Sequence, residues 1–274
     1  MKKKSITIII SVFLAVVLFA SLYNIIKIYD DYKQADDTYE DIQNEYVSGN
    51  EKPAVNETNA GASNQTDANM NEETEGAAQE ETTEPPISVD FDSLCNRNKD
   101  VTGWLYCPDT ALNYPVVQGK DNTKYLQSDL DGKYLASGTL FVDFENGALG
   151  EDTNYIIYGH NMKNGTMFGM LTQYKEQSYY DQHPTMYYLT PNGNYEIELV
   201  IGVVVQSDDR LYELRQDKTV LLMLIDRYRE KSTFQSSAQI NEEDLVITLS
   251  TCSYEFNNAR YVLVGKLIPL YYWL

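Results

Sequence analysis

Three side chains able to carry out acyl transfer through a thioester stand at the ends of apolar runs. Cys252 closes Leu245-Val-Ile-Thr-Leu-Ser-Thr-Cys252, and eight residues later Arg260 opens Arg260-Tyr-Val-Leu-Val-Gly265. His160, one of only two histidines, closes Asn154-Tyr-Ile-Ile-Tyr-Gly-His160. A free thiol is mostly protonated at neutral pH, yet the thiolate is the species that attacks an amide, so a cationic neighbour must favour the anion. An imidazole can serve and then protonate the leaving amine. A guanidinium, always charged and planar, can face the oxyanion or orient substrate carbonyls. Each residue also has a plain reading: a structural strand-end thiol, a turn histidine in Gly-His-Asn, a surface arginine. Their co-occurrence favours chemistry. The rival imidazole, His183 in Asp-Gln-His-Pro184, lies in a loop before proline, poorer scaffolding than a strand end.

Two neighbouring strands joined by a turn would set Cys252 beside Arg260 at one end of a sheet. Further β-like runs are Gly103–Cys107, Asn113–Gln118, Thr139–Val142, Tyr155–Tyr158, Met186–Leu189 and Tyr195–Val205, followed by Leu245–Thr251 and Tyr261–Ile268. Turn chemistry separates them, notably Pro191-Asn-Gly-Asn194. Eight short strands without βαβ alternation predict a mostly antiparallel barrel or sandwich. Ser88–Cys95 reads as a short helix with Ser88 as its cap, and Thr166–Tyr174 as another. Asp217–Lys231 is a longer, Asp-capped helix in the insert before the cysteine strand, where it can wall a groove or simply pack.

The N-terminal part differs in character. Met1-Lys2-Lys3-Lys4 precedes Ile6–Ile28, which is apolar and uncharged until Lys27. At ~1.5 Å per residue such a run crosses the ~30 Å hydrocarbon layer. It exceeds a signal-peptide core of about 7–15 residues and lacks a small-x-small cleavage site. Residues 1–29 are therefore expected to be a cytoplasmic stub and uncleaved transmembrane anchor. Asp30, Asp31, Asp36 and Asp37 follow the span, so the positive-inside rule places the N-terminus in the cytoplasm and the remainder outside. Residues 30–86 carry 16 acidic residues against Lys33 and Lys52, a net −14 of the chain's −20. Residues 30–46 can prolong the helix, whereas Val47–Pro86 has almost no large apolar residues and is expected to be a disordered linker. The folded domain is expected over 87–274. No exterior part is basic, which disfavours nucleic acid. Cys95, Cys107 and Cys252 make an odd count, pointing to at least one free thiol. Cys95 reads as a buried small hydrophobe, with a Cys95–Cys107 bridge as an open alternative.

Thr248-Leu-Ser-Thr-Cys252 with Arg260, and Tyr158-Gly-His-Asn161, resemble the signature of sortases, membrane-anchored cysteine transpeptidases of Gram-positive bacteria. Gly103-Trp-Leu, Tyr114-Pro-Val-Val-Gln-Gly119, Asp121-Asn-Thr-Lys-Tyr-Leu126, Gly138-Thr-Leu-Phe-Val-Asp143 and Thr166-Met-Phe-Gly-Met-Leu171 are similar to the class B branch. The resemblance spans about residues 88–268 and implies an eight-stranded β-barrel. It implies that Cys252 attacks a threonine carbonyl in a C-terminal sorting signal, with His160 as general acid and then base, and Arg260 supporting the oxyanion. A peptidoglycan amine would resolve the thioacyl-enzyme and anchor the surface protein. Motif matching also puts Asn122, Leu126 and Ser250 at the sorting peptide. It does not choose among Tyr212, Tyr228 and their neighbours in the insert. Where some relatives carry an acid two residues after the cysteine, this chain has Tyr254.

The alternatives are a sortase that polymerises pilins through a lysine acceptor, and a non-catalytic surface β-barrel that binds a ligand. A cysteine L,D-transpeptidase normally carries a histidine-glycine element near its cysteine, which Cys252 lacks. No organic cofactor is implied. No His/Cys cluster has metal-ligand spacing, and no EF-hand-type calcium loop is present.

Overall fold

The computed structural model describes residues 2–49 and 84–270. A long helix, α1 (Lys2–Tyr46), leads into β1 (Val47–Gly49), and β2 (Ile87–Val89) and α2 (Phe91–Arg97) follow. Next come β3 (Val101–Tyr106), β4 (Asn113–Val117), β5 (Leu140–Val142) and β6 (Tyr155–Tyr158). After α3 (Gln177–Gln182) come β7 (Thr185–Thr190), β8 (Gly193–Gln206), α4 (Lys218–Arg229), β9 (Leu245–Cys252) and β10 (Ala259–Leu270). Strands β3 to β10 close into one barrel in the order β10-β8-β7-β3-β4-β5-β6-β9. This is the mostly β, eight-stranded barrel with short helices that the chain's family resemblance implies. Its pairing is antiparallel except for β4 with β5 and β6 with β9.

Inward-facing residues fill the barrel: Leu105, Ile157, Tyr188, Leu249 and Leu263 are essentially inaccessible. A second core lies between α4 and the sheet. Leu221 and Ile225 on α4 pack with Val203, Val205, Val262 and Val264. Asp217 caps α4 as its sequence predicts, accepting from the Thr219 amide at 2.9 Å.

Two helix expectations change. Ser88 does not cap a helix; it lies in β2 opposite Ser48 of β1, and Asp90 caps α2 by accepting from the Ser93 amide at 3.0 Å. The returning chain pairs with β1 before it can turn helical. Residues 166–174 form no continuous helix. The Phe168 amide bonds back to the His160 carbonyl at 3.0 Å, and Met167 takes a left-handed φ of 52°. Only Met170–Lys175 then forms a 3-10 turn.

Helix α1 holds the largest difference. Among the described residues it is the one helix long and apolar enough to cross a membrane, and its side chains from Phe13 to Tyr29 are all exposed. Beyond Tyr29 the same helix turns amphipathic. Ala35, Tyr39, Ile42 and Tyr46, at helical spacing, are buried against the barrel, while Asp36, Asp37, Glu40 and Asp41 face outward. The Tyr39 hydroxyl donates to the Gly138 carbonyl at 2.5 Å, its ring meets Tyr114 edge-on at 5.0 Å, and Gln43 Nε2 donates to the Asn113 carbonyl at 2.7 Å. Within the segment expected to be a tether, Ala35, Tyr39, Ile42 and Tyr46 thus pack on the domain. The remainder of the expected linker, 50–83, lies outside the described residues.

Candidate active site

The barrel's strand directions bring the chemistry-bearing ends together. Strand β6 runs parallel to β9, with Tyr158 opposite Ser250, so the carboxyl ends of both strands reach the same edge. Strand β10 runs antiparallel to β9 and pairs Arg260 with Cys252, which places its amino end there too. Short bonds lock the ends. The Gly159 amide donates to the Ser250 carbonyl at 3.2 Å, Thr251 Oγ1 to the Gly159 carbonyl at 2.8 Å, and Asn161 Nδ2 to the Cys252 carbonyl at 2.7 Å.

These ends border a cleft of about 380 Å³ lined by His160, Cys252, Arg260, Asn122, Leu126 and Ser250. All six residues singled out in the sequence therefore meet at one cavity. The other imidazole is elsewhere: His183 Nδ1 lies 3.1 Å from the Tyr179 carbonyl and its ring packs on Tyr179 at 4.3 Å, and it does not line the cleft. All three cysteines are free, so the Cys95–Cys107 alternative is not formed. Cys107 is buried; Cys95, expected to be buried, is half-exposed beside Leu94, which takes the core position on α2. Among the described residues no three His, Cys, Asp or Glu side chains are grouped to hold a metal ion.

His160 Nε2 lies 2.7 Å from the Leu126 carbonyl. A carbonyl can only accept, so Nε2 carries the proton. Gly159 is required by packing: a Cβ there would lie 2.4 Å from Leu140 Cδ2 and 2.7 Å from the Phe168 ring. Arg260 is half-buried, and Nη1 donates to the Ala259 carbonyl at 3.0 Å.

Opposite this triad lies a hydrogen-bonded wall. Asn122 Nδ2 and the Tyr158 hydroxyl both donate to Asp143 Oδ2, at 3.0 and 2.9 Å, and Asn122 Oδ1 accepts from the Phe144 amide at 2.9 Å. Burial, reinforced by Asp143, pushes the Tyr158 phenol well above its ordinary range, so it stays a donor. The hydroxyls of Ser250 and Tyr212 are 2.7 Å apart, and the Tyr212 ring stacks on Tyr158 at 6.3 Å. Burial pushes the Tyr212 phenol up to about 12. Leu126, 38% exposed, forms an apolar rim.

The insert question is settled by geometry. Tyr212 enters the cleft, whereas Tyr228 bonds Asp209 at 2.5 Å. Neither periodicity nor motif distinguishes the two tyrosines; what separates them is the 3-10 turn Arg210–Tyr212, capped by Asp209. Asp143, Phe141 and Tyr158 lie in quoted motifs, yet no sequence signal assigns them to the cleft wall. Tyr254 is 76% exposed and lies outside the lining.

A closed eight-stranded barrel with thiol, imidazole and guanidinium gathered at one strand edge has the architecture of a cysteine transpeptidase. Residues 105–268 match the Sortase domain family. Sortase B of Staphylococcus aureus is 34% identical over 186 residues, covering 66% of this chain and 75% of that protein. Sortase B of Listeria monocytogenes is 35% identical over 174 residues, covering 62% of this chain and 71% of that protein. The structure of a Staphylococcus aureus sortase B–substrate complex superposes with a TM-score of 0.62 at 32% identity, covering 66% of this chain and 85% of that one. The chain belongs to the sortase family, in its class B branch.

Proposed function

We propose that the chain cleaves a C-terminal sorting signal after threonine and joins the acyl part to a peptidoglycan amine. His160 holds the proton taken from the Cys252 thiol, the thiolate attacks the threonine carbonyl carbon, and the oxyanion forms facing the Arg260 guanidinium. His160 gives a proton to the departing amine as the C–N bond breaks, leaving a thioester on Cys252. The incoming amine attacks that thioester and passes a proton to His160. Sulfur leaves as thiolate and a new amide is complete. The observation that supports this reading is the shared edge of β6, β9 and β10, which lines one cleft with His160, Cys252 and Arg260. Asn122, Leu126 and Ser250 would contact the sorting peptide, and Tyr212 joins them. The partners are then sorting-signal-bearing surface proteins, the peptidoglycan peptide amine of lipid II or a cross-bridge, and the membrane through the apolar part of α1. Lys2, Lys3 and Lys4 ahead of that part support a cytoplasmic N-terminus and a catalytic domain outside.

The test is intact-mass spectrometry of the full chain in detergent with a library of sorting-signal-like peptides, beside Cys252→Ala. An acyl adduct on the wild type alone, ending in threonine, is the expected result. Adding a peptidoglycan-type amine or a lysine side-chain amine then separates wall anchoring from pilin polymerisation. No adduct, with no selective alkylation of Cys252, would favour the non-catalytic binding barrel.

A further inference from the structure

Cys252 and Arg260 are the pair of the β9–β10 ladder next to the turn that joins the two strands, so the turn holds that end of the ladder in place. It is closed by the Ser253 amide on the Ala259 carbonyl at 2.9 Å and the Ala259 amide on the Phe256 carbonyl at 3.2 Å. Asn258 takes a left-handed φ of 59°, and its carbonyl accepts from the Ser207 amide at 3.1 Å. Lys175 reaches across the turn from the end of the 3-10 turn Met170–Lys175. Its ammonium donates to Glu255 Oε1 at 2.5 Å and to Ser253 Oγ at 3.1 Å, while the Ser253 hydroxyl donates to the other Glu255 oxygen. The same ammonium lies 5.1 Å from the centroid of the Tyr261 ring. Lys175 thus touches Ser253, next after Cys252, and Tyr261, next after Arg260.

Lys175 also closes the excursion that begins at His160, whose carbonyl holds the Phe168 amide. Tyr174, its neighbour, is fully buried and donates to the His183 carbonyl at 2.7 Å, so the lysine is presented from a rigid base. Burial opposes the Glu255 anion, but the bonds from Lys175 and Ser253 prevail and hold its carboxyl down to about 2. Neither Lys175 nor Glu255 lines the cleft.

We propose that Lys175 is a positioning residue: through Glu255, Ser253 and Tyr261 it couples the segment after His160 to the turn that joins Cys252 to Arg260. The proposal rests on the transpeptidase reading above. Glu255, three residues past the cysteine, then serves as the turn's anchor and not as a partner of the thiol.

The experiment compares full-length wild type, Lys175→Gln, Lys175→Arg and Lys175→Gln/Glu255→Gln in detergent, using a peptide found to acylate the wild type. Lys175→Gln should lower kcat about tenfold while KM stays within about twofold, because the cleft wall that binds peptide is untouched. Lys175→Arg should recover most of that loss, and the double variant should exceed Lys175→Gln because the uncompensated carboxylate is gone. Wild-type kcat in Lys175→Gln, or a Lys175→Arg enzyme as slow as Lys175→Gln, overturns the coupling. A wild type that forms no acyl adduct defeats the functional reading instead. The clamp is then judged by alkylation of Cys252 relative to Cys95: reduced selectivity in Lys175→Gln upholds it and unchanged selectivity overturns it.

Discussion

The His160 imidazole donates from Nε2 to the backbone carbonyl of Leu126, 34 residues earlier, across 2.7 Å. That bond sets the tautomer and the ring plane, the role a third group plays in orienting a catalytic base. The carbonyl belongs to the 3-10 turn Lys124–Leu126. Asp121 holds that turn by accepting from the Thr123 and Lys124 amides at 2.7 and 2.9 Å, and Lys124 pairs with Asp100 at 2.7 Å.

Asp121→Ala should therefore slow turnover several-fold although Asp121 does not line the cleft. The check is kcat together with the downfield Nε2 proton of His160, which should broaden. A sharp proton signal with undiminished kcat would show that the turn does not govern the imidazole.

Arg260→Lys should lower kcat about 10²-fold. An ammonium keeps the charge but lacks the planar fork needed to face an oxyanion. Single-turnover acylation measures this directly, and near-wild-type acylation by the lysine variant would remove Arg260 from the chemical step.

Gly159→Ala inserts a methyl 2.4 Å from Leu140 and 2.7 Å from Phe168. Overpacking of this kind costs about 1–3 kcal/mol. Because Phe168 holds the His160 carbonyl, activity should fall further than stability predicts. Thermal melting and acylation rate, measured on the same sample, compare the two.

The packed end of α1 predicts that a chain beginning at residue 31 melts higher than one beginning at 87. Tyr39→Ala should cost about 3–5 kcal/mol, as for other large buried aromatics. Gly49 pairs with Ile87, so the two ends of the intervening stretch already meet. Replacing residues 52–82 with a short turn should leave the melting temperature nearly unchanged, since a shorter loop costs less closure entropy. Equal melting of the chains starting at 31 and 87 would refute the docking.

Lys175 and Glu255 also predict a pH dependence. The Glu255 carboxyl is depressed from its ordinary 4.5 to about 2. Its stabilising contribution is complete above about pH 4.5 and is lost as pH falls toward 2. Carbon-detected titration should find Glu255 still ionised at pH 4, and Lys175→Gln should bring its titration back toward the ordinary range.

The sequence by itself determined the barrel strands, the anchor-like apolar run and the six cleft residues, because alternation, hydropathy and short motifs are local signals. The runs at Tyr155–Tyr158 and Leu245–Cys252 appear as strands with almost the predicted bounds. Only the tertiary structure decided which strand ends coincide: that β6 lies parallel to β9 is a long-range pairing carried by no local pattern. The same holds for the choice of Tyr212 over Tyr228, two similar residues separated by the path of one short turn. Ala35, Tyr39, Ile42 and Tyr46 are sparse among acids, so composition reads their segment as solvated tether; four apolar residues on one helical face suffice to dock it once a barrel surface is there to receive them.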